Sequence, residues 1–162
     1  MQRLEEEGIV YTRVLPEEDD PSSPIGRGWK STFQTTDKAV AEEKAQGLGV
    51  SLVWQPDGTV KSISCVLPGV KPYRGRKQFF NSLIAAYTGW KDSRNDPTRA
   101  VTFANGDLLE EQFVKDATRI MDEECCDWKW EAGDVLMIDN EQVMHARRSF
   151  VPPRRILAAL FK

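Results

Sequence analysis

The chain of 162 residues contains one histidine, three cysteines and no GxSxG sequence. A Ser-His-Asp triad would therefore need His145 as its base, without the usual turn that presents the serine. Neither a GxxxxGKS/T nor a GxGxxG loop is present, which argues against the phosphate-binding sites that these motifs form. Cys65, Cys125 and Cys126 form no CxxC pattern. A zinc ribbon is thus excluded, and a reducing compartment such as the cytoplasm is expected.

Long apolar runs are also absent. No stretch approaches the roughly 20 apolar residues that a transmembrane helix needs, and the mean hydropathy is −0.49. The acidic N-terminus lacks the apolar core of a secretory signal. A net charge of −3 and a pI of about 5.3 argue against a general nucleic-acid binder. We therefore expect one domain, residues 1–162, that engages neither nucleic acid nor membrane.

The residues that are present predict a β-rich domain with few helices. IVYTRVL reads as a strand, SLVWQPDGTVKSISCVL as two strands around a turn, and RAVTF as a short strand. Helices are predicted at the start of the chain, within residues 35–49 and at 107–124, and the run QFFNSLIAAYTGW fits either class. Three further strands are predicted at 135–138, 143–150 and 154–161. Helices beside a mostly antiparallel sheet favour a sandwich or jelly roll.

The run HARRSFVPPRR, residues 145–155, combines the lone histidine with four arginines. On the predicted strand–loop–strand pattern, His145 and Arg155 begin neighbouring strands and can face one pocket. A neutral imidazole is a good ligand for Fe(II), and an arginine fork pairs a carboxylate through two hydrogen bonds. A basic patch for a polyanion, centred on Arg147 and Arg148, is the alternative that these residues leave open.

The segment WEAGDVLMIDNEQVMHARRSFVPPRRILAALFK resembles the C-terminal signature of the TauD/TfdA group of Fe(II)/2-oxoglutarate dioxygenases. Three upstream stretches, PSSPIGRGWKSTFQT, QFFNSLIAAYTGW and RNDPTRAVTFANG, are similar to the plant clavaminate synthase-like branch of that group. The resemblance covers almost the whole chain. It implies an α+β, mostly β fold: an incomplete double-stranded β-helix, or jelly roll, with flanking helices.

The resemblance also implies roles for individual residues. His145 matches the distal iron ligand, and Arg155 matches the arginine that anchors the far carboxylate of 2-oxoglutarate. Arg154 would point to the opposite face of the strand. Asn81 matches a residue near the family's active site, and Trp29 is a candidate for lining the pocket. The implied cofactor is Fe(II), with 2-oxoglutarate and O₂ as cosubstrates.

One departure from the family pattern is decisive. Iron in this family is held by two histidines and one carboxylate, yet the chain contains no His-x-Asp/Glu pair. The resemblance therefore implies the C-terminal part of a longer dioxygenase that hydroxylates or desaturates a small molecule, inactive when it stands alone. A non-catalytic binding domain derived from the same fold is the alternative. Ala159 stands where a sulfonate substrate would call for arginine, so taurine is not expected as the substrate.

Overall fold

A computed structural model describes residues 1–148, 151, 155 and 157–159 of the chain. These residues form five α-helices, six β-strands and a 3₁₀ turn at Pro97–Arg99. In chain order the helices and strands are α1 Gln2–Glu6, β1 Ile9–Leu15, α2 Trp29–Phe33, α3 Lys38–Gly47, β2 Val50–Trp54, β3 Val60–Ser64, β4 Lys71–Tyr73, β5 Arg76–Gln78, α4 Leu83–Gly89, β6 Val101–Phe103 and α5 Glu111–Glu123.

The main sheet has four antiparallel strands in the order β2-β3-β1-β6. Strand β3 pairs with both β1 and β2, so that Ile63 lies opposite Thr12 on one side and Ser51 on the other. Strands β4 and β5 form a separate two-stranded hairpin. Antiparallel strands with helices packed beside them confirm the predicted α+β class.

Two clusters of buried side chains hold the helices against the sheet. The first joins α1, α4 and α5 to strands β1 and β6, and it includes Leu4, Ile9, Leu83, Val101 and Val114. The second joins α2 and α3 to strands β1 and β3, and it includes Leu15, Trp29, Phe33, Ala41 and Val60. Burial of these apolar faces is the main favourable contribution to folding.

Local signals in the sequence explain where the first elements begin and end. Gly8 follows α1 with a φ of +72°, and a Cβ there would lie 2.8 Å from the carbonyl oxygen of Leu67, so only glycine fits. Helix α3 is capped by Asp37, whose carboxylate accepts hydrogen bonds from the N–H groups of Ala39 and Val40. Thr35 and Thr36, one or two residues earlier, are also of a type that caps helices, but an ionised carboxylate is the stronger acceptor.

Some elements differ from the sequence prediction. Helix α2 and the β4–β5 hairpin were not predicted, and the unassigned run 78–90 divides between the end of β5 and helix α4. Helix α5 begins at Glu111 rather than at 107, because Leu108 forms a bridge to Thr102 and the carbonyl of Asp107 accepts a hydrogen bond from the Phe103 N–H. None of the helices in the described part is long and apolar enough to cross a membrane.

The prediction of three strands after α5 is wrong for the residues that the structure describes. Residues 135–138 and 143–148 are not strands, and Val135 and Met137 are 94% and 92% exposed. The stretch 154–161 is described only at Arg155 and 157–159, which are also not in a strand, and its other residues lie outside the described part. A strand needs a neighbour for its backbone hydrogen bonds, and an apolar pattern alone does not supply that neighbour.

Candidate functional site

The segment that carries His145 follows α5 and turns at Asp139. The Asp139 carboxylate accepts a hydrogen bond from the Glu141 N–H at 3.1 Å. Its carbonyl accepts from the N–H groups of Gln142 and Val143, both at 3.0 Å. This geometry is that of a turn, a position at which aspartate is common because its side chain accepts from a backbone N–H two residues on.

Ion pairs and hydrogen bonds attach this segment to the folded body at two places. Before His145, Asp139 accepts a hydrogen bond from the Tyr73 hydroxyl at 2.9 Å, and Glu141 pairs with Lys71. After it, Arg148 pairs with Asp122 and Asp127 at 3.2 Å each. The pairs made by Arg148 are exposed and individually weak. The polyanion alternative gains nothing from Arg148, whose charge is matched by two carboxylates.

His145 lies between these two attachments with an exposed side chain. Its Nδ1 is 3.5 Å from the Val143 carbonyl oxygen, at the outer limit of a hydrogen bond. Arg155 is also exposed, and Arg154 lies outside the described residues. Among the residues that the structure describes, no hydrogen bond or ion pair joins His145, Arg155, Asn81 or Trp29 to one another.

Asn81 holds the start of α4. Its Nδ2 donates to the Gly69 carbonyl at 2.7 Å, and its Oδ1 accepts from the Leu83 N–H at 3.0 Å. Both ends of the amide are therefore committed to backbone groups, which fixes the segment between β5 and α4. Its place near an active site stays a prediction from the resemblance.

Trp29 belongs to the core of the sheet and of helices α2 and α3. Its side chain is 1% exposed and meets Trp54 edge-on, with ring centroids 5.0 Å apart. The indole N–H donates to the Gly58 carbonyl at 3.3 Å. Such burial makes Trp29 a packing residue in this structure, and a role in lining a pocket stays a prediction.

The polar cluster around Asp92 was not predicted from the sequence. The Asp92 carboxylate, 7% exposed, accepts hydrogen bonds from Asn95, Ser23 and Arg94. Burial opposes its ionisation, but these hydrogen bonds outweigh burial and hold the pKa of Asp92 well below its ordinary value. Arg94 also pairs with Asp20 at 2.8 Å, so the cluster fastens the loop between β1 and α2.

The described residues do not form a complete iron site. No three side chains of histidine, cysteine, aspartate or glutamate come together among them in a metal-binding arrangement. Non-haem iron of this type requires two imidazoles and one carboxylate, and the chain has one histidine. The ligand set of this chain alone therefore does not fit the iron that the family resemblance implies.

Comparison with known proteins assigns the chain to a family. The family model described as "Taurine catabolism dioxygenase TauD, TfdA family" matches residues 11–160. A clavaminate synthase-like protein of Arabidopsis thaliana is 56% identical over 164 residues that include this whole chain. The chain spans about half, 50%, of the length of that relative. The chain belongs to the TauD/TfdA dioxygenase family and carries part of its jelly-roll fold, in the clavaminate synthase-like plant branch.

Proposed function

We propose that this chain is the C-terminal part of an Fe(II)- and 2-oxoglutarate-dependent dioxygenase. The reaction would hydroxylate or desaturate a small molecule while O₂ is consumed and 2-oxoglutarate is converted to succinate and CO₂. The observation that carries this proposal is the family match over residues 11–160, because it spans both His145 and Arg155. The 56% identity to the clavaminate synthase-like protein over the whole chain supports it.

In this proposal His145 supplies one iron ligand. Its imidazole is exposed and makes only a marginal hydrogen bond, so a ring nitrogen is available for a metal. The remaining ligands would come from a polypeptide segment equivalent to the half of the Arabidopsis relative that this chain does not match. Iron held there would supply the oxygen chemistry, which no side chain provides.

Arg155 would bind the far carboxylate of 2-oxoglutarate. A guanidinium group is planar, always charged and able to donate two parallel hydrogen bonds to one carboxylate. Its exposure in the described part leaves it accessible to a second chain segment or to a cosubstrate. Anchoring through Arg155 would orient 2-oxoglutarate without any chemical step at the arginine itself.

A fusion protein tests this function. The unmatched half of the Arabidopsis relative is joined to this chain, and succinate formation is measured with Fe(II), 2-oxoglutarate and O₂. We expect succinate production, and we expect Arg155→Gln to raise the KM for 2-oxoglutarate by about tenfold or more, as loss of a charge-assisted hydrogen bond predicts. Arg154→Gln removes the same charge one residue earlier and should leave that KM nearly unchanged.

One result would contradict the enzyme assignment: a fusion protein that is folded, as judged by circular dichroism, and that binds Fe(II) but forms no succinate. It would favour the non-catalytic jelly-roll binding domain instead. Equal effects of Arg154→Gln and Arg155→Gln would contradict the role assigned to Arg155.

A further inference from the structure

The turn of the β4–β5 hairpin places an arginine where the backbone disfavours one. Tyr73 pairs with Arg76, leaving Arg74 and Gly75 as a two-residue loop. Both loop residues have positive φ, +48° and +77°. Such turns favour Asn-Gly or Gly-Gly, because a side chain at positive φ is strained. Strain of this kind concentrates at functional positions.

A pocket lies beside this hairpin. It has a volume of about 520 Å³ and is lined by Tyr73, Arg74, Arg76, Lys77, Gln78 and Gln142. Three of these six side chains are cationic, and the other three carry a phenol or an amide. We refer to this group as the hairpin pocket.

The cations of the hairpin pocket are only partly neutralised. Lys77 pairs with Glu5 at 2.8 Å, and Arg74 reaches Asp139 only at 4.0 Å, the limit for an ion pair. Arg76 is exposed and makes no ion pair within the described part of the chain. The pocket therefore has a positive excess in a chain whose net charge is −3. An anionic group is the natural ligand for such a surface.

Gln78 adds a second and independent requirement. Its Oε1 is buried, and the residues that the structure describes offer it no hydrogen-bond donor. A buried acceptor without a donor is costly, and a native structure usually satisfies it with water or a ligand. Gln78 also lines the hairpin pocket, so a rotation of its side chain would bring Oε1 to a ligand that carries an N–H or O–H group.

We propose that the hairpin pocket binds a small organic acid that carries a hydroxyl or amino group close to its carboxylate. The carboxylate would pair with Arg76 and Arg74, since guanidinium forks match carboxylate geometry. The hydroxyl or amino group would donate to Gln78 Oε1. This inference does not depend on the proposed dioxygenase function, because it concerns binding to this chain alone.

Calorimetric titration of the chain tests the proposal with L-malate, succinate and inorganic phosphate. L-Malate differs from succinate by one hydroxyl, so the pair isolates the contact with Gln78. We expect saturable binding of L-malate and about fivefold to tenfold weaker binding of succinate, in proportion to one hydrogen bond. Gln78→Leu should abolish that preference while leaving binding of succinate in place.

Charge is tested with two matched substitutions. Arg76→Gln should weaken L-malate binding about tenfold. Arg99→Gln removes the same charge from an exposed side chain that does not line the hairpin pocket, and it should have no effect. Thermal unfolding of each variant verifies that the fold is retained.

Three results would overturn the proposal. One is the absence of saturable L-malate binding to the unsubstituted chain. Another is tighter binding of phosphate than of L-malate, which would identify the pocket as a general oxyanion site. The third is an equal loss of L-malate affinity in Arg76→Gln and Arg99→Gln, which would show that binding depends only on the overall charge of the chain.

Discussion

The side chain of Asn95 forms two hydrogen bonds with the backbone of Val14. Its Oδ1 accepts from the Val14 N–H at 2.7 Å, and its Nδ2 donates to the Val14 carbonyl at 3.1 Å. Strand β6 stops pairing with β1 at Tyr11, so the amide continues the pairing where the neighbouring strand has ended. Because Nδ2 also donates to Asp92, the amide connects strand β1 to the polar cluster around Asp92.

Removal of this amide should destabilise the fold. Asn95→Ala leaves the N–H and carbonyl of Val14 without their partners, and we expect a loss of about 1–3 kcal/mol in the free energy of unfolding. Urea denaturation measures it. Asn105→Ala is the matched control, because the exposed Asn105 bonds only to Asp107, two residues away, and should cost less than about 0.5 kcal/mol. Similar losses in both variants would contradict the role assigned to Asn95.

The polar cluster should also make stability depend on pH. The pKa of Asp92 lies below its ordinary value in the folded chain, so the ionised group stabilises the fold above the unfolded pKa of about 3.9. This contribution is lost as pH falls below that value toward the folded pKa. Asp92→Asn should therefore destabilise the protein at about pH 7 and progressively less below about pH 4.

Urea denaturation across this pH range measures the effect. Comparison with Asp116→Asn distinguishes the contribution of the Asp92 cluster from a general effect of acid on stability. Asp116 is exposed on α5, and its replacement should shift stability little at any pH. A difference between the unsubstituted chain and Asp92→Asn that grows as pH falls would have the wrong sign and would contradict the assignment.

Trp29 should behave as a core residue. Trp29→Ala removes a side chain that is 1% exposed, and we expect a loss of about 3–5 kcal/mol in the free energy of unfolding. Trp130→Ala is the control, since Trp130 is 50% exposed and should cost far less. If Trp29 instead lines a substrate pocket, its replacement in the fusion protein would alter KM with little loss of stability.

Much of the first two-thirds of the fold was predictable from local patterns. Strand β1, the β2–β3 hairpin and β6 follow from β-branched residues, a Pro-Asp-Gly turn and a short apolar run. Helix α5 follows from its apolar spacing, although its start was misplaced by four residues. These signals are local, so they need no knowledge of distant neighbours.

The elements that were missed depend on contacts far along the chain. Helix α2 has only five residues and is held by the burial of Trp29 and Phe33, which no short-range pattern reveals. The β4–β5 turn uses Arg-Gly where Asn-Gly is usual. The predicted strands around His145 needed pairing partners that the described residues do not provide. In this region the family resemblance indicates which residues are candidates for the site. Their positions in space depend on long-range contacts, which the spacing along the sequence does not specify.

The candidate site was likewise only partly predictable. His145 and Arg155 were selected by residue type, spacing and resemblance to the family, and their roles stay predictions. The RGRK run of the hairpin pocket was present in the sequence as a cluster of cations around a glycine. That these cations line the same pocket as Gln78, whose Oε1 lacks a donor, became clear only from the structure.

The role of His145 as an iron ligand is the central claim, and anaerobic Fe(II) titration of the fusion protein tests it most directly. We predict tight binding of one Fe(II) per fusion protein, loss of that binding in His145→Ala, and its partial recovery when imidazole is added to replace the missing ring. This chain alone should form no tight site. Unchanged Fe(II) affinity in His145→Ala, or tight binding with succinate formation by the chain alone, would contradict the account.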